Sequence, residues 1–356
     1  MSKKKYIDIR EYWDDRYPYQ FFVGGRGSGK TYSGLGMVVE KQRDDEIDKF
    51  VYMRRTGEEI EACIDSRLRG EFLNPFKSIN NDFGYNYGIM PYQKKCGAIH
   101  MRDYQEDGTV ELKSDMLGYG VALSTISGIR GVDMTDADVL IYDEFIPERH
   151  VRSIKSEGEA FLNCIETIAR NRELRGKKPM KVFCFANAFN IHNAIFMELG
   201  LISAVERLIN RGQEHYYDNM RGLGVHLLKN TDEFMADKAA SSLGRLTRGT
   251  RWSDMALSND FVYNDFSLIG YKNVKGMRPC ITIDEVTMWE KKGDGMLYFS
   301  YCTGKCPKIQ TTMEHERRYF MQQYGHYVLQ EFVKGNTYFE CYAIKQKMLD
   351  LLRISR

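Results

Sequence analysis

The residues of this 356-residue chain with the clearest chemical content are Gly24-Gly25-Arg26-Gly27-Ser28-Gly29-Lys30-Thr31. A glycine, four residues, then Gly-Lys-Thr is the spacing of a loop that cradles phosphates. Glycines let the backbone wrap closely around phosphate oxygens, and amides at the start of a following helix point at the anion. In such a loop Lys30 reaches the β- and γ-phosphates and Thr31 holds a magnesium ion. The context fits, because an apolar run from Tyr19 to Val23 precedes the glycines and a helix-compatible stretch from Tyr32 to Met37 follows them.

A phosphate loop that supports hydrolysis needs a second strand ending in acid. Val139-Leu140-Ile141-Tyr142-Asp143-Glu144 supplies one. Asp143 is expected to support magnesium through its water shell, and Glu144 to polarise the attacking water as general base. Ras-type GTPases use a glutamine to position water and a guanine-specificity run, and neither an Asn-Lys-x-Asp run nor a suitable glutamine is present. Hydrolysis of ATP to do mechanical work is the expected chemistry, with ATP and magnesium as its cofactors.

Arginines and a polar strand end complete the candidate site. Arg170 follows a helical stretch from Ile165 to Ala169 and could be offered to a neighbouring subunit's γ-phosphate, stabilising charge as the phosphoryl bond breaks. Arg130, in Gly128-Ile129-Arg130-Gly131, is a second candidate for that role. Asn187 closes the run Lys181 to Ala186 and could sense the γ-phosphate or simply cap the next helix. Arg54 and Arg55 follow the run Phe50 to Met53 and would reach the nucleotide, a subunit interface or a surface ion pair.

These residues must be positioned by strands and crossover helices. Tyr19–Val23, Phe50–Met53, Asp138–Tyr142 and Lys181–Ala186 are short apolar runs with little alternation, as expected of strands buried on both faces of a parallel sheet. Residues 74–120 are richer in glycine, tyrosine and charge and predict an antiparallel excursion, with a hairpin around Asp107-Gly108. A helix is predicted from Thr231 to Leu243-Gly244, and another from Tyr342 to Ile354. Between them, Ile281-Thr282-Ile283 and Met296 to Tyr301 indicate a second sheet. The expected layout is an α/β ATPase domain of the ASCE type with a central, mostly parallel sheet over residues 1–225. A short helical linker follows at 226–256 and a smaller α+β domain at 257–356.

Composition narrows the class. There are 51 Lys+Arg and 49 Asp+Glu, so the net charge of +2 leaves room only for a local nucleic-acid patch. Eight scattered cysteines include one close pair, Cys302 and Cys306, without a second pair to complete a zinc site. No apolar run approaches the ~20 residues of a membrane span, and the basic start Met1 to Asp8 lacks the apolar core of a signal peptide. A membrane or secreted protein is therefore not expected.

The landmarks together resemble the DNA-packaging ATPases of φ29-like (picovirus-type) podophages. The matching pieces are Phe22 to Lys30, Val51-Tyr52-Met53-Arg54-Arg55, Tyr142-Asp143-Glu144-Phe145-Ile146, Arg170-Asn171-Arg172-Glu173 and Ala186-Asn187-Ala188. Gly244-Arg245-Leu246 with Met255 to Asp260 follows in the same order. The resemblance implies a ring of identical subunits, expected as a pentamer, docked on the portal of an empty prohead in the host cytoplasm and absent from the mature virion. That ring pumps double-stranded DNA inward, and in some relatives a structural packaging RNA is a further partner. It also implies that Arg170 acts on the neighbour's ATP, and that the carboxyl-terminal domain is an RNase H-like, vestigial nuclease. Here Asp284, Glu285 and Asp294 do not form a converging set on strands, so no nuclease activity is expected.

A pump must grip any sequence, so its contacts should be to phosphates. From Leu257 onward 14 lysines and arginines face 11 acids. Arg245, Arg248 and Arg251, then Lys272, Lys275, Arg278, Lys291 and Lys292, are the candidates, and a ring multiplies a modest patch. The rival readings are another nucleic-acid P-loop ATPase, such as a helicase or partition protein, and a nucleotide-gated structural protein with little turnover.

Overall fold

The computed structural model describes residues 6–65, 72–93, 96–107, 109–129, 132–147, 154–187, 191, 193–250, 268–293 and 295–353. Two compact units emerge, Met1–Leu199 with Leu208–Tyr263, and Gly200–Arg207 with Asn264–Arg356.

In the first unit, β1 (Tyr19–Gly24) leads through the glycine loop into α1 (Lys30–Arg43). Then follow β2 (Lys49–Arg54), α2 (Gly57–Cys63), α3 (Lys77–Phe83), β3 (Tyr87–Gln93), β4 (Cys96–Tyr104), β5 (Val110–Leu112) and β6 (Gly118–Ala122). The chain continues with β7 (Ala137–Asp143), α4 (Glu157–Ala169), β8 (Lys181–Asn187), α5 (Ala194–Glu198), β9 (His215–Asp218) and β10 (Leu223–Leu228), while most of α6 (Ile202–Asn210) falls in the stretch that belongs to the second unit. Two short helices close it, α7 (Asp232–Ala240) and α8 (Ser242–Leu246).

The sheet order is β3-β4-β6-β2-β7-β8-β1-β10-β9, with β5 paired to β4. Its centre, β6 through β10 in that order, is parallel. The expected apolar runs are these central strands, and their near-continuous burial follows from helices covering both faces. The antiparallel excursion is β3, β4 and β5, at one edge. Strand β8 lies between β1 and β7, which puts Asn187 beside Gly24 and Phe185 beside Asp143. This interposed strand is the ASCE arrangement expected from the sequence. Helix α1 lies close on β8 because Gly34 has no side chain: a Cβ there would come within 2.3 Å of the Phe185 ring.

Two expectations change in detail. The expected boundary at 225 falls inside β10, whose residues pair with β1 from Leu223 to Leu228. The single helix expected from 231 to 244 is two, because the Ser241 backbone is extended and its side chain accepts from the Gly244 amide, starting α8 anew.

The second unit carries β11 (Met277–Ile283), β12 (Val286–Lys291), β13 (Leu297–Ser300), β14 (Lys308–Ile309), α9 (Glu314–Phe320), α10 (His326–Val333), β15 (Thr337–Phe339) and α11 (Tyr342–Arg353). An antiparallel meander, β11-β12-β13, is flanked by β14 parallel to β11 and β15 parallel to β13. Its core includes Ile281, Ile283, Phe299, Phe320, Phe339, Ile344 and Met348, as an α+β unit requires.

Candidate active site

The carboxyl ends of β1, β8 and β7 converge on a cavity of about 760 Å³. Among the expected residues, Arg26, Gly27, Ser28, Gly29, Lys30, Thr31, Asp143, Glu144 and Asn187 line it. Gly29 takes φ 91° as the N-cap of α1, a left-handed conformation suited to glycine, and turns the loop into the helix. Gly24 and Gly25 lie beneath, and their carbonyls accept from Lys30 Nζ at 3.0 and 2.8 Å. Lys30 also reaches Ser28 Oγ at 3.3 Å and Asn187 Oδ1 at 3.5 Å. Burial, at 7% exposure, pushes its ammonium down to about 7 against the opposing pull of Asp143.

Thr31 Oγ1 donates to Asp143 Oδ1 at 2.8 Å. The other carboxylate oxygen accepts from Arg54 Nη1 at 3.2 Å and from the Tyr52 hydroxyl at 3.3 Å. Burial raises the Asp143 pKa, while Arg54 and Thr31 pull it down. Arg54 also donates through Nη2 to Glu144 Oε2 at 2.5 Å. It therefore stands behind the two acids, outside the residues that line the cavity. Glu144 itself has φ 58°, unusual for a residue with a side chain, which turns its carboxylate out of the strand direction.

A magnesium ion fits the pair Thr31 and Asp143. A hydroxyl and a carboxylate oxygen 2.8 Å apart on one rim are hard oxygen donors, and Mg²⁺ commonly takes one or two protein ligands beside substrate phosphates and water.

Other arginines lie elsewhere. Arg55 is 1% exposed and grips Glu157, at the start of α4, through Nε at 2.5 Å and Nη2 at 2.8 Å. The surface ion pair considered for it is a buried one. Arg170 is the C-cap of α4, in a left-handed conformation. Two residues on, Arg172 donates to the Ala137 carbonyl and the Asp138 carboxylate at the start of β7. Arg170 therefore belongs to the amino-terminal edge of the sheet, roughly 20 Å of strand away from Asp143. The structure does not bring it to its own chain's cavity. Arg130 lies outside the described residues. Capping of α5 falls to Asn193, whose side chain accepts from the Phe196 amide, so Asn187 keeps its amide group for the cavity.

The sequence reading missed one wall. Tyr6, Tyr32 and the α3 residues Ser78, Asn81 and Asp82 line the same cavity, and the Tyr32 hydroxyl donates to Asp82 at 2.8 Å. Tyr6 is placed by the Ile7 amide, which donates to the Ser28 carbonyl at 3.1 Å. Polar residues on a short helix carry no motif that could have announced them.

Fold and site together define an ASCE-type P-loop protein. The chain belongs to the family described as podovirus DNA encapsidation protein (Gp16), whose profile matches residues 100–317. It is similar to the DNA packaging proteins of Bacillus phages PZA and phi29, 23% identical over 243 residues, which are 68% of this chain and 61% of each relative. The chain thus spans about three fifths of the length of these relatives. The DNA packaging protein of Bacillus phage B103 is 24% identical over 259 residues, 72% of this chain and 68% of that one. Among solved structures, the Phi-28 gp11 DNA packaging motor superposes with a TM-score of 0.60 at 18% identity, covering 98% of both chains. The bacteriophage Phi-29 viral genome packaging motor assembly gives 0.65 at 16% identity, covering 99% of this chain and 100% of that one. These two likenesses are of fold.

Proposed function

We propose that the chain is an ATP hydrolase that drives double-stranded viral DNA through the portal into a preformed prohead, acting as a homo-oligomeric ring. The observation that carries this reading is the single cavity joining the phosphate loop, Asp143, Glu144 and Asn187 in a chain of the encapsidation family. Lys30 and the loop amides would hold the triphosphate, with Thr31 and Asp143 holding magnesium. When bound, the ion neutralises charge on the β- and γ-phosphates. Glu144 would take the proton of the attacking water, and Asn187, already near Lys30, would sense the γ-phosphate. Arg54 would set when Glu144 is available, since its guanidinium holds that carboxylate.

The placement of Arg170 on the far edge of the sheet favours action on a neighbour's ATP over its own. Contacts to DNA phosphates would come from the second unit, where Lys275, Lys291 and Lys292 are exposed and share one end of the sheet through the Met277–Lys291 pairing. Arg278 is ion-paired with Glu290, and Lys272 lies over the Tyr338 ring, so they are weaker candidates. Arg251 lies outside the described residues. The RNase H-like unit would be a vestigial nuclease without cutting activity: Asp284 accepts from Thr311 and pairs with Lys347, which occupies its carboxylate, and Asp294 lies outside the described residues. The ring, a pentamer, would dock transiently at the portal vertex in the host cytoplasm, with a packaging RNA as a further partner where one is used. No helix among the described residues is long and apolar enough to cross a membrane.

The test is ATP turnover and DNA encapsidation on purified proheads, with and without double-stranded DNA. Stimulation by duplex DNA and protection of that DNA from added nuclease are expected. Stimulation by single strands with strand separation would favour a helicase, and binding of ATP without turnover would favour a nucleotide-gated structural protein.

A further inference from the structure

Helix α7 is held to the phosphate loop by an unusual pair of residues. Phe234 is its one buried side chain, so the helix has no apolar stripe to seat on the sheet. The Phe234 ring instead lies 5.9 Å from that of Tyr6, edge on, and 3.7 Å from where a Cβ on Gly27 would be. One turn later Lys238 donates to the carbonyl of Arg26, over the face of Phe234 at 5.2 Å. Its Nζ lies 3.9 Å from the same Gly27 position.

Three cations, Arg26, Lys30 and Lys238, therefore converge on one glycine loop. Their mutual repulsion is unfavourable: burial and then the nearby Arg26 lower the Lys238 pKa. A helix that needed only a donor for the Arg26 carbonyl could use a neutral amide or hydroxyl without that repulsion. An ammonium at this place is favourable when a polyanion sits on the loop. Lysine suits that task as a compact charge on a flexible stem.

We infer that Lys238, held at the Arg26 carbonyl just outside the residues that line the cavity, supplies positive charge from α7 to the triphosphate of its own chain. The inference rests on the nucleotide reading of the cavity. It gives α7, one of the last described helices before the chain continues into the second unit, a direct response to nucleotide.

The test compares wild type with Lys238→Gln, which keeps a donor for the carbonyl but loses the charge, and with Lys238→Arg, which keeps both. Binding of a fluorescent ATP analogue with magnesium is measured, with Lys30→Ala as control. Loss of a charge-assisted contact is expected to weaken binding on the order of tenfold in Lys238→Gln. Lys238→Arg should restore it to within about twofold, and the thermal midpoint of Lys238→Gln without nucleotide should not fall, since the amide keeps a donor and relieves the repulsion. Wild-type affinity in Lys238→Gln overturns the inference, since a purely structural donor would be satisfied by the amide. If Lys238→Gln does not fold, amide exchange on wild type decides. Protection of 232–240 should rise with the analogue, and unchanged protection overturns the inference. Loss of binding in Lys30→Ala but not in Lys238→Gln would leave the cavity reading standing. Unaltered binding in both would remove that reading as well.

Discussion

Glu144 is the residue on which turnover depends in this reading. Its φ of 58° costs on the order of 1 kcal/mol, an expense sustained by the strand before it and by Phe145, whose amide donates to the Phe185 carbonyl at 3.1 Å. Replacing it with glutamine keeps shape and the hydrogen-bonding partner but removes the base. Glu144→Gln is expected to lower ATP turnover by about 10²–10⁴-fold with nucleotide affinity retained. Normal hydrolysis by that variant in a steady-state assay would withdraw the assignment. Lys30 gives a second prediction at the same scale. With a pKa near 7 it is largely neutral at pH 8, whereas a triphosphate on the loop would favour the charged form. Binding should therefore take up close to one proton at about pH 8, and progressively less toward about pH 6, where the lysine is already charged. Calorimetry in buffers of different ionisation enthalpy reads this directly. Zero uptake at pH 8 would mean that Lys30 stays charged in the empty loop.

Among the elements, α4 has the most consequential attachment. It starts at the carboxyl edge of the sheet, where Glu157 meets Arg55, and ends at the amino edge, where Arg172 ties the chain to β7. Both members of the Arg55–Glu157 pair are nearly inaccessible, at 1% and 4% exposure. Removing the acid would strand a buried guanidinium, so Glu157→Ala should destabilise the first unit by about 3–5 kcal/mol, read as a lowered urea midpoint. A loss below about 1 kcal/mol would mean that water reaches Arg55. This pairing could not be read from the sequence, in which Arg55 and Glu157 are 102 residues apart. The central strands could, because burial on both faces leaves continuous apolar runs, and so could the glycine loop and the Asp143-Glu144 strand end. Helix α7 is the opposite case. Its residues 232–240 show no amphipathic period, so neither its break at Ser241 nor the approach of Phe234 and Lys238 to the loop was visible. The polar wall from α3 was hidden for a related reason, since it is assembled by the edge strands that follow it and not by spacing.

At the scale of the whole molecule, the separation of Arg170 from its own chain's cavity makes a quantitative claim about assembly. The phosphate loop lies at the carboxyl edge of the sheet, while α4 delivers Arg170 to the other. If Arg170 completes a neighbour's site, each subunit in a closed heterologous ring both gives and receives one arginine. Arg170→Ala should then bind nucleotide normally, yet mixing it with wild type should suppress activity beyond dilution. In a coordinated pentamer with random mixing, an equimolar mixture leaves only about 3% of rings free of mutant subunits. Packaging on proheads would fall toward that level, whereas independent subunits acting through their own arginines would retain about half. A titration across mutant fractions separates the two curves, and its steepness reports the number of subunits. A straight line through one half would mean that Arg170 acts without coordination between subunits, whereas a flat line at wild-type activity would remove Arg170 from the site and leave Arg130 as the remaining arginine to test. The same mixture with Lys238→Gln in place of Arg170→Ala supplies an internal comparison, because a residue serving its own chain's nucleotide weakens ATP affinity only in the subunits that carry it.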